Sequence, residues 1–140
     1  MLFRSIYQSA SVINDLIQQE INAGIASENI LLAGFSQGGV IALHTGLTFP
    51  SKLAGIVGLS TYLPTLDNLN QERSEQNKNV SIFIGHGSED PVVDMRAGQK
   101  TYQGLKALGY PIEWHQYPMQ HSVCLPEIND IAEFINAVLN

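Results

Sequence analysis

The chain has 140 residues, 44% hydrophobic and 14% charged, a balance typical of a folded domain rather than a disordered segment. Its seven Lys and Arg residues form no basic cluster and its formal net charge is −6, which argues against a nucleic-acid partner. No apolar run approaches bilayer-spanning length, and the single cysteine, Cys124, excludes an internal disulfide. With no secretory-signal pattern at the N-terminus, we expect one cytoplasmic domain over residues 1–140 without stable membrane insertion.

The first half of the chain predicts two helices and two strands in alternation. Apolar residues at spacings of three and four predict a helix over 5–23, and a short apolar run predicts a strand over 30–33. A second helix is expected over 37–48, followed by a nearly all-apolar strand over 53–60. The polar stretch 64–79 is interpreted as a surface loop.

The second half repeats the alternation, with strands expected over 80–85 and 112–117 and helices over 93–108 and 126–139. Strands that alternate with helices predict an α/β fold, in which a parallel sheet is covered by helices on both faces. In such sheets, sites lie outside the carboxyl ends of the strands. The last helix is expected to bury one apolar stripe, formed by Ile128, Ile131, Ile135 and Val138.

The first expected strand ends in a Gly-x-Ser-x-Gly pattern centred on Ser36, with a helix directly after it. This setting predicts a strained turn that exposes the serine hydroxyl above the strand end. Gly34 and Gly38 are expected to prevent a clash where strand and helix come close. The backbone N–H of Gln37 is then placed to donate to a developing oxyanion. The alternative is a glycine-rich turn with an inert serine.

An acid and a histidine follow the third and fourth expected strands. Asp90 lies after the strand over 80–85, and His121 lies after the strand over 112–117. The chain order Ser, Asp, His is that of the α/β-hydrolases. A serine hydroxyl needs a base to take its proton, and the base needs a carboxylate to orient it.

Asp90 has two neighbouring rivals, Glu89 and Asp94. We favour Asp90 because Pro91 restrains the backbone directly after it and can begin the next helix.

Three other histidines compete with His121. His44 and His115 lie inside a helix and a strand, and His86 is expected to brace the acid loop. A metal site built from His115, His121 and Cys124 is disfavoured, because the strand direction points His115 away from that loop.

Several apolar side chains near strand ends are candidates to line an acyl pocket. Plain core packing is an equally good interpretation of them. They are Tyr62, Leu63, Val92, Val93, Met119 and Leu125.

Three motifs together resemble the phospholipase/carboxylesterase family, which includes acyl-protein thioesterases and bacterial carboxylesterases. They are Gly-Phe-Ser-Gln-Gly-Gly at 34–39, His-Gly-Ser-Glu-Asp-Pro-Val-Val at 86–93 and Met-Gln-His-Ser-Val-Cys at 119–124. The resemblance covers nearly the whole chain. It implies an α/β-hydrolase fold and hydrolysis of carboxylic esters or thioesters with medium to long acyl chains. It also implies that no cofactor takes part, and no metal site is expected.

The same resemblance implies roles for individual residues. Ser36 would be the nucleophile, Asp90 the orienting acid and His121 the base. Tyr62 stands where the family's eukaryotic thioesterases usually have Trp, which favours a bacterial-type esterase.

Members of this family also carry several strands before the first helix expected here, and a loop among them supplies a second oxyanion donor. We therefore expect this chain to be the C-terminal portion of such a hydrolase. Without the second oxyanion donor, its kcat is expected to be lower than that of a complete enzyme by a factor of roughly 10²–10³. The strand that begins at Ile30 and ends at Ala33 would then be a bare sheet edge, which favours pairing with a second copy or an N-terminal fragment. The alternative function is a catalytically impaired fragment that acts as an interaction module.

Overall fold

The structure is a computed structural model that describes residues 3–139. Its centre is a parallel sheet of four strands in the order β1-β2-β3-β4. The strands are β1 (Leu31–Phe35), β2 (Gly55–Leu59), β3 (Ser81–Gly87) and β4 (Ile112–Tyr117). Strands that are consecutive in sequence are neighbours in the sheet. Because each of the three neighbouring pairs is parallel, all four strands finish at the same edge.

Helices supply the connections between the parallel strands. The predicted bounds agree with the structure for the helix over 37–48 and the strand over 112–117. The ends of the other predicted helices and strands differ from the observed ends by no more than two residues. None of the helices within residues 3–139 has both the length and the apolar character needed to cross a bilayer. The helices are α1 (Phe3–Asn22), α2 (Gln37–Thr48), α3 (Leu69–Glu72), α4 (Met95–Ala107) and α5 (Leu125–Leu139), with 3₁₀ turns at Ser27–Asn29 and Leu66–Asn68.

Apolar residues cover both faces of the sheet, which confirms the predicted α/β architecture. Successive side chains of a strand point to opposite faces, so Ile82 and Phe83 enter different layers. Ile82 packs in the core cluster that includes Leu105 of α4 and residues of α2. Phe83 packs against Phe134 of α5 on the other face.

The segment 64–79 was predicted to be a surface loop, and that prediction is wrong in part. It contains a 3₁₀ turn and α3, and Asn77 is fully buried. The Asn77 amide donates to the carbonyl oxygens of Phe49 and Ser51 at 2.9 and 2.8 Å and accepts from the N–H of Leu53 at 2.9 Å. A polar side chain with its bonds satisfied by backbone is stable inside a protein, and composition does not reveal it.

The buried stripe of α5 agrees with the predicted one only toward the C-terminus of the helix, where two of the four predicted residues pack against the core. Ile128 is 51% exposed, whereas Glu127 is fully buried and Phe134 enters the core. The helix turns so that Phe134 fits against Phe83 and Val57 of the sheet. This rotation carries a carboxyl group inward where the sequence pattern predicted an isoleucine.

Strand β1 lies at the edge of the sheet within the described residues, as the sequence led us to expect. It runs further than predicted, through Gly34 and Phe35, so it leads directly into the turn at Ser36.

Candidate active site

Ser36 occupies a sharp turn between β1 and α2. Its backbone has φ 56° and ψ −118°, a region that non-glycine residues rarely adopt. Such a conformation costs of order 1–3 kcal/mol and persists only where surrounding contacts impose it. The Ser36 N–H donates to the carbonyl oxygen of Leu59 at 2.8 Å, which ties the turn to β2.

Two glycines permit this turn, and only one of them was predicted. A Cβ added to Gly34 would strike the backbone of Gly38 and Gly39, so that part of the prediction is confirmed. A Cβ on Gly38 would meet nothing within 4 Å, so the prediction for Gly38 is wrong. Gly39 is the second constrained position, because a Cβ there would lie 2.6 Å from Thr61 Cγ2.

Asp90 lies in the turn after β3 with its side chain buried. Its Oδ1 accepts hydrogen bonds from the N–H groups of Val92 and Val93 at 2.8 and 2.9 Å. Burial acts to raise the pKa of Asp90, but the hydrogen bonds from His121, Val93 and Val92 prevail and hold it below its ordinary value. His86 donates from Nε2 to the carbonyl oxygen of Val93 at 2.8 Å and thus braces the loop, as predicted.

The structure brings His121 to both of the other candidate residues. Its Nδ1 lies 2.8 Å from Asp90 Oδ2, and its Nε2 lies 3.1 Å from Ser36 Oγ. An ionised carboxylate only accepts hydrogen bonds, so Nδ1 carries the proton and Nε2 is free to accept from the serine hydroxyl.

The acid loop and the histidine loop are tied together by backbone hydrogen bonds. The Ser88 N–H donates to Tyr117 O at 2.9 Å, and the Glu89 N–H donates to Met119 O at 3.1 Å. A Cβ on Gly87 would strike the backbone of Met119 and Gln120. These contacts hold Asp90 and His121 in register, and no sequence motif predicted them.

Phe35 contacts the imidazole of His121, with ring centroids 4.7 Å apart and planes tilted by 46°. This contact was not predicted from the sequence. Its position directly before Ser36 was the available signal.

The two acids that compete with Asp90 in the sequence, Asp94 and Glu89, make no hydrogen bond to His121 among the described residues. Asp94 caps α4, accepting from the Arg96 N–H at 2.9 Å and pairing with the Arg96 guanidinium at 3.0 Å. Glu89 is exposed to solvent.

The other histidines also have partners of their own. His44 Nδ1 lies 3.0 Å from Thr65 Oγ1, and His115 Nε2 lies 2.8 Å from Glu113 Oε1. Within residues 3–139, no group of three or more His, Cys, Asp and Glu side chains is arranged to hold a metal ion.

The candidate acyl-pocket residues have different environments. Leu63 is buried in the main core, so its surroundings match the packing alternative. Tyr62 lines a cavity of about 250 Å³ together with residues of α4. Val92 is 67% exposed beside the Asp90 turn, and Met119 is partly buried in the histidine loop.

Gln37 is the first residue of α2, and helix geometry gives its N–H no partner within the helix. This N–H belongs to the peptide that directly follows Ser36. The positive end of the helix dipole adds to the attraction for a negative oxygen there.

Comparisons with known proteins identify the family and the fold. Residues 4–139 match the model of the phospholipase/carboxylesterase family. An acyl-protein thioesterase 1 from Neurospora crassa is 43% identical over 133 residues, which make up 93% of this chain and 54% of the relative. The crystal structure of Arabidopsis thaliana SOBER1 matches with a TM-score of 0.95 at 30% identity, covering 100% of this chain and 67% of that one. Acyl-protein thioesterase 2 from Zea mays matches with a TM-score of 0.86 at 26% identity, covering 98% and 66% of the two chains.

The chain spans about half the length of the curated relatives it matches. The fungal relative is a eukaryotic thioesterase, so it lends no support to the bacterial-type esterase inferred from Tyr62. The matching structures confirm the α/β-hydrolase fold. Because the family model extends over almost every residue, this chain belongs to the phospholipase/carboxylesterase family.

Proposed function

We propose that this chain carries the reacting residues of a serine hydrolase that cleaves carboxylic esters or thioesters through an acyl-enzyme. One observation supports this above all others, namely the hydrogen-bonded series from Ser36 Oγ to His121 Nε2 and from His121 Nδ1 to Asp90 Oδ2. That series contains a nucleophile, a base and an orienting acid in contact.

In the proposed acylation, Ser36 Oγ attacks the substrate carbonyl carbon while its proton passes to His121 Nε2. Asp90 stabilises the imidazolium that forms, which agrees with the lowered pKa of this carboxyl. Collapse of the tetrahedral intermediate breaks the bond from the acyl carbon to the leaving oxygen or sulfur, which takes the proton of the imidazolium and departs as an alcohol or thiol. The acyl group remains bonded to Ser36 Oγ.

In the proposed deacylation, water attacks the acyl carbon and His121 takes a proton from that water. Collapse of the tetrahedral intermediate breaks the bond to Ser36 Oγ, which regains a proton from His121. The products are a carboxylic acid and the free enzyme. In both halves, the Gln37 N–H donates to the negative carbonyl oxygen.

We propose an acylated compound as the substrate, since relatives are named acyl-protein thioesterases. Val92 and Met119 flank the Asp90 and His121 loops and are the best placed candidates to contact an acyl chain. Tyr62, which lines the cavity beside α4, is a further proposed contact. Leu63 supports the surface from within the core.

A fluorophosphonate probe tests the reaction class. We expect the purified chain to be labelled on the peptide that contains Ser36 and to hydrolyse p-nitrophenyl esters slowly. His121→Ala removes the base and is expected to abolish labelling, while His44→Gln, remote from Ser36, serves as the control. Absence of both labelling and turnover in a folded wild-type chain would count against the proposal.

A second candidate function is interaction through the edge of β1. One side of this strand pairs with β2, while the other side adjoins an apolar groove of about 580 Å³ between α1, β1 and α2. We propose that a second copy of the chain pairs along this edge, because an unpaired apolar edge favours strand addition.

Sedimentation tests the edge proposal. We expect a concentration-dependent dimer, and Val12→Lys, which places a charge at an exposed position of the groove, is expected to shift it to monomer. A wild-type chain that stays monomeric at high concentration would contradict the proposal. A dimer without ester hydrolysis would favour the interaction module over the esterase.

We also propose a cytoplasmic setting. Cys124 is a free cysteine, and a free thiol is typical of a reducing compartment. Fractionation of cells that express the tagged chain would test this.

A further inference from the structure

A second strained turn lies beside the one that carries Ser36. Phe35 and Leu59 are paired across β1 and β2, so Ser36 and Ser60 leave adjacent strands at the same level. The Ser60 N–H donates to Gly85 O at 2.8 Å, as the Ser36 N–H does to Leu59 O. Among residues 3–139, Ser36 and Ser60 are the non-glycine residues with positive φ, at 56° and 51°. The two turns are therefore neighbours, and they share a positive φ and a hydrogen bond from the serine N–H to the next strand.

Thr61 follows the second turn, and its side chain reaches the first. The Thr61 hydroxyl donates to the carbonyl oxygen of Ser36 at 2.7 Å, and the residue is only 1% exposed. The N–H groups of Gly39 and Val40 donate to the same oxygen at 3.0 and 3.3 Å. The other acceptor near the Thr61 hydroxyl, Tyr62 O, is more distant at 3.4 Å. Thr61 thus makes the shortest of three hydrogen bonds to the Ser36 carbonyl.

The carbonyl of Ser36 and the N–H of Gln37 belong to one peptide unit. A trans peptide is planar, so its C=O and N–H point in opposite directions, and no cis peptide occurs within residues 3–139. Fixing the carbonyl from one side therefore fixes the direction of the N–H on the other side.

We propose that Thr61 is a positioning residue for the esterase reaction. Its hydroxyl holds the peptide between Ser36 and Gln37 so that the Gln37 N–H faces the oxygen of the reacting carbonyl. The inference rests on the proposed function, because this N–H has a catalytic task only if Ser36 is the nucleophile.

This role makes a specific kinetic prediction. An oxyanion donor acts mainly in the transition state, when the carbonyl oxygen gains negative charge. Loss of its alignment therefore lowers kcat and leaves KM almost unchanged. The contacts from Ser36 to His121 and from His121 to Asp90 do not involve Thr61.

Two substitutions separate the hydroxyl from the rest of the side chain. Thr61→Val keeps the branched shape and removes the donor, and we expect kcat to fall about tenfold with KM within about twofold, the effect of one hydrogen bond. Thr61→Ser keeps the hydroxyl and is expected to retain kcat within about twofold. The rate of fluorophosphonate labelling should follow the same order, because the phosphonyl oxygen needs the same N–H.

Amide exchange provides a readout that needs no turnover. The N–H groups of Gly39 and Val40 donate to the carbonyl that Thr61 is proposed to hold in place, so loosening of this peptide should lower their protection in Thr61→Val and not in Thr61→Ser. If Thr61→Val does not fold, Thr61→Ala is compared with Thr61→Ser on the same readouts.

The outcomes distinguish this inference from the proposed function. A folded wild-type chain that neither labels nor hydrolyses contradicts the proposed function, and the positioning role is lost with it. An active wild type with unchanged kcat in Thr61→Val overturns the positioning role alone, even if Thr61→Val is less stable. Thr61→Ser as slow as Thr61→Val also overturns it, because the hydroxyl would then not be the active feature.

Discussion

The turns at Ser36 and Ser60 share a positive φ and a backbone hydrogen bond to the neighbouring strand, but their side chains have very different surroundings. Both serines follow parallel strands at the same register, and both have φ near 50–60°. The Ser36 hydroxyl lies 3.1 Å from His121 Nε2. The Ser60 hydroxyl is buried with no hydrogen-bond partner among the described residues.

A positive φ is common to both serines, so it cannot by itself be the reason to propose Ser36 rather than Ser60 as the nucleophile. Each strained turn is imposed by its strand and by a backbone bond to the neighbouring strand. What distinguishes Ser36 is the loop after β4, which places His121, the proposed base, within hydrogen-bond distance of its hydroxyl. Four predictions test or sharpen this contrast.

The largest effect is expected from exchanging each serine for alanine. Ser36→Ala should lower kcat by roughly 10⁴–10⁶, because no other group supplies the nucleophile. Ser60→Ala should retain most of the activity, since its hydroxyl contacts no reacting group. Turnover of a p-nitrophenyl ester measures both, and equal losses in the two variants would mean that the turns are not functionally distinct.

Removing the charge of the acid should have the next largest effect. In Asp90→Asn an amide replaces the carboxylate, so the imidazole no longer has a fixed acceptor for its Nδ1 proton, and kcat should fall by about 10⁴. Glu89→Gln removes a charge from the exposed neighbour and serves as the matched control. The pH dependence of kcat should be measured for both, and activity of Asp90→Asn near that of wild type would contradict the assigned role.

The glycines of the first turn give a matched pair for stability. Gly34→Ala should destabilise the fold by about 1–3 kcal/mol or more, because its Cβ meets the backbone of Gly38 and Gly39. Gly38→Ala has open space and lies in the first turn of α2, so it should be neutral or stabilising by up to about 1 kcal/mol. Urea unfolding measures both. Equal costs at the two positions would show that the close approach at Gly34 is not the constraint.

The smallest effect concerns Glu127, which lies against Gly85, the residue whose carbonyl oxygen binds the Ser60 N–H. Burial is the main cause that raises the pKa of Glu127 to about 7, and Asp130 adds to it. Because the folded-state pKa exceeds the unfolded value near 4.5, the folded chain holds an extra proton between these values. The contribution of Glu127 to stability is therefore greatest below pH 4.5 and is lost as the pH rises through 7.

Glu127→Gln removes this titration while keeping the shape. We expect it to resemble wild type near pH 5 and to be more stable by roughly 1–3 kcal/mol near pH 8. Thermal unfolding at both pH values measures the difference, and Glu133→Gln on the exposed side of α5 is the control. A stability difference that does not change with pH would contradict the buried, protonated carboxyl.

Local patterns in the sequence were enough to predict the order of strands and helices, the turn at Ser36 and the candidates Asp90 and His121. These features depend on short-range signals, such as apolar periodicity and glycines around a serine, and on the rule that parallel strands finish at one edge. The family motifs occupy those same strand ends, so fold and family could be recognised together.

Contacts between side chains that are far apart in the chain could be identified only from the three-dimensional structure. Thr61 bonds the carbonyl of Ser36, Asn77 holds the chain between α2 and β2, and α5 turns Glu127 inward while exposing Ile128. Each of these depends on contacts through space between segments far apart in the chain, and a polar residue can be buried wherever such contacts satisfy it. The requirement at Gly39 in place of Gly38 has the same origin, because the obstructing atoms belong to Thr61, on another strand end.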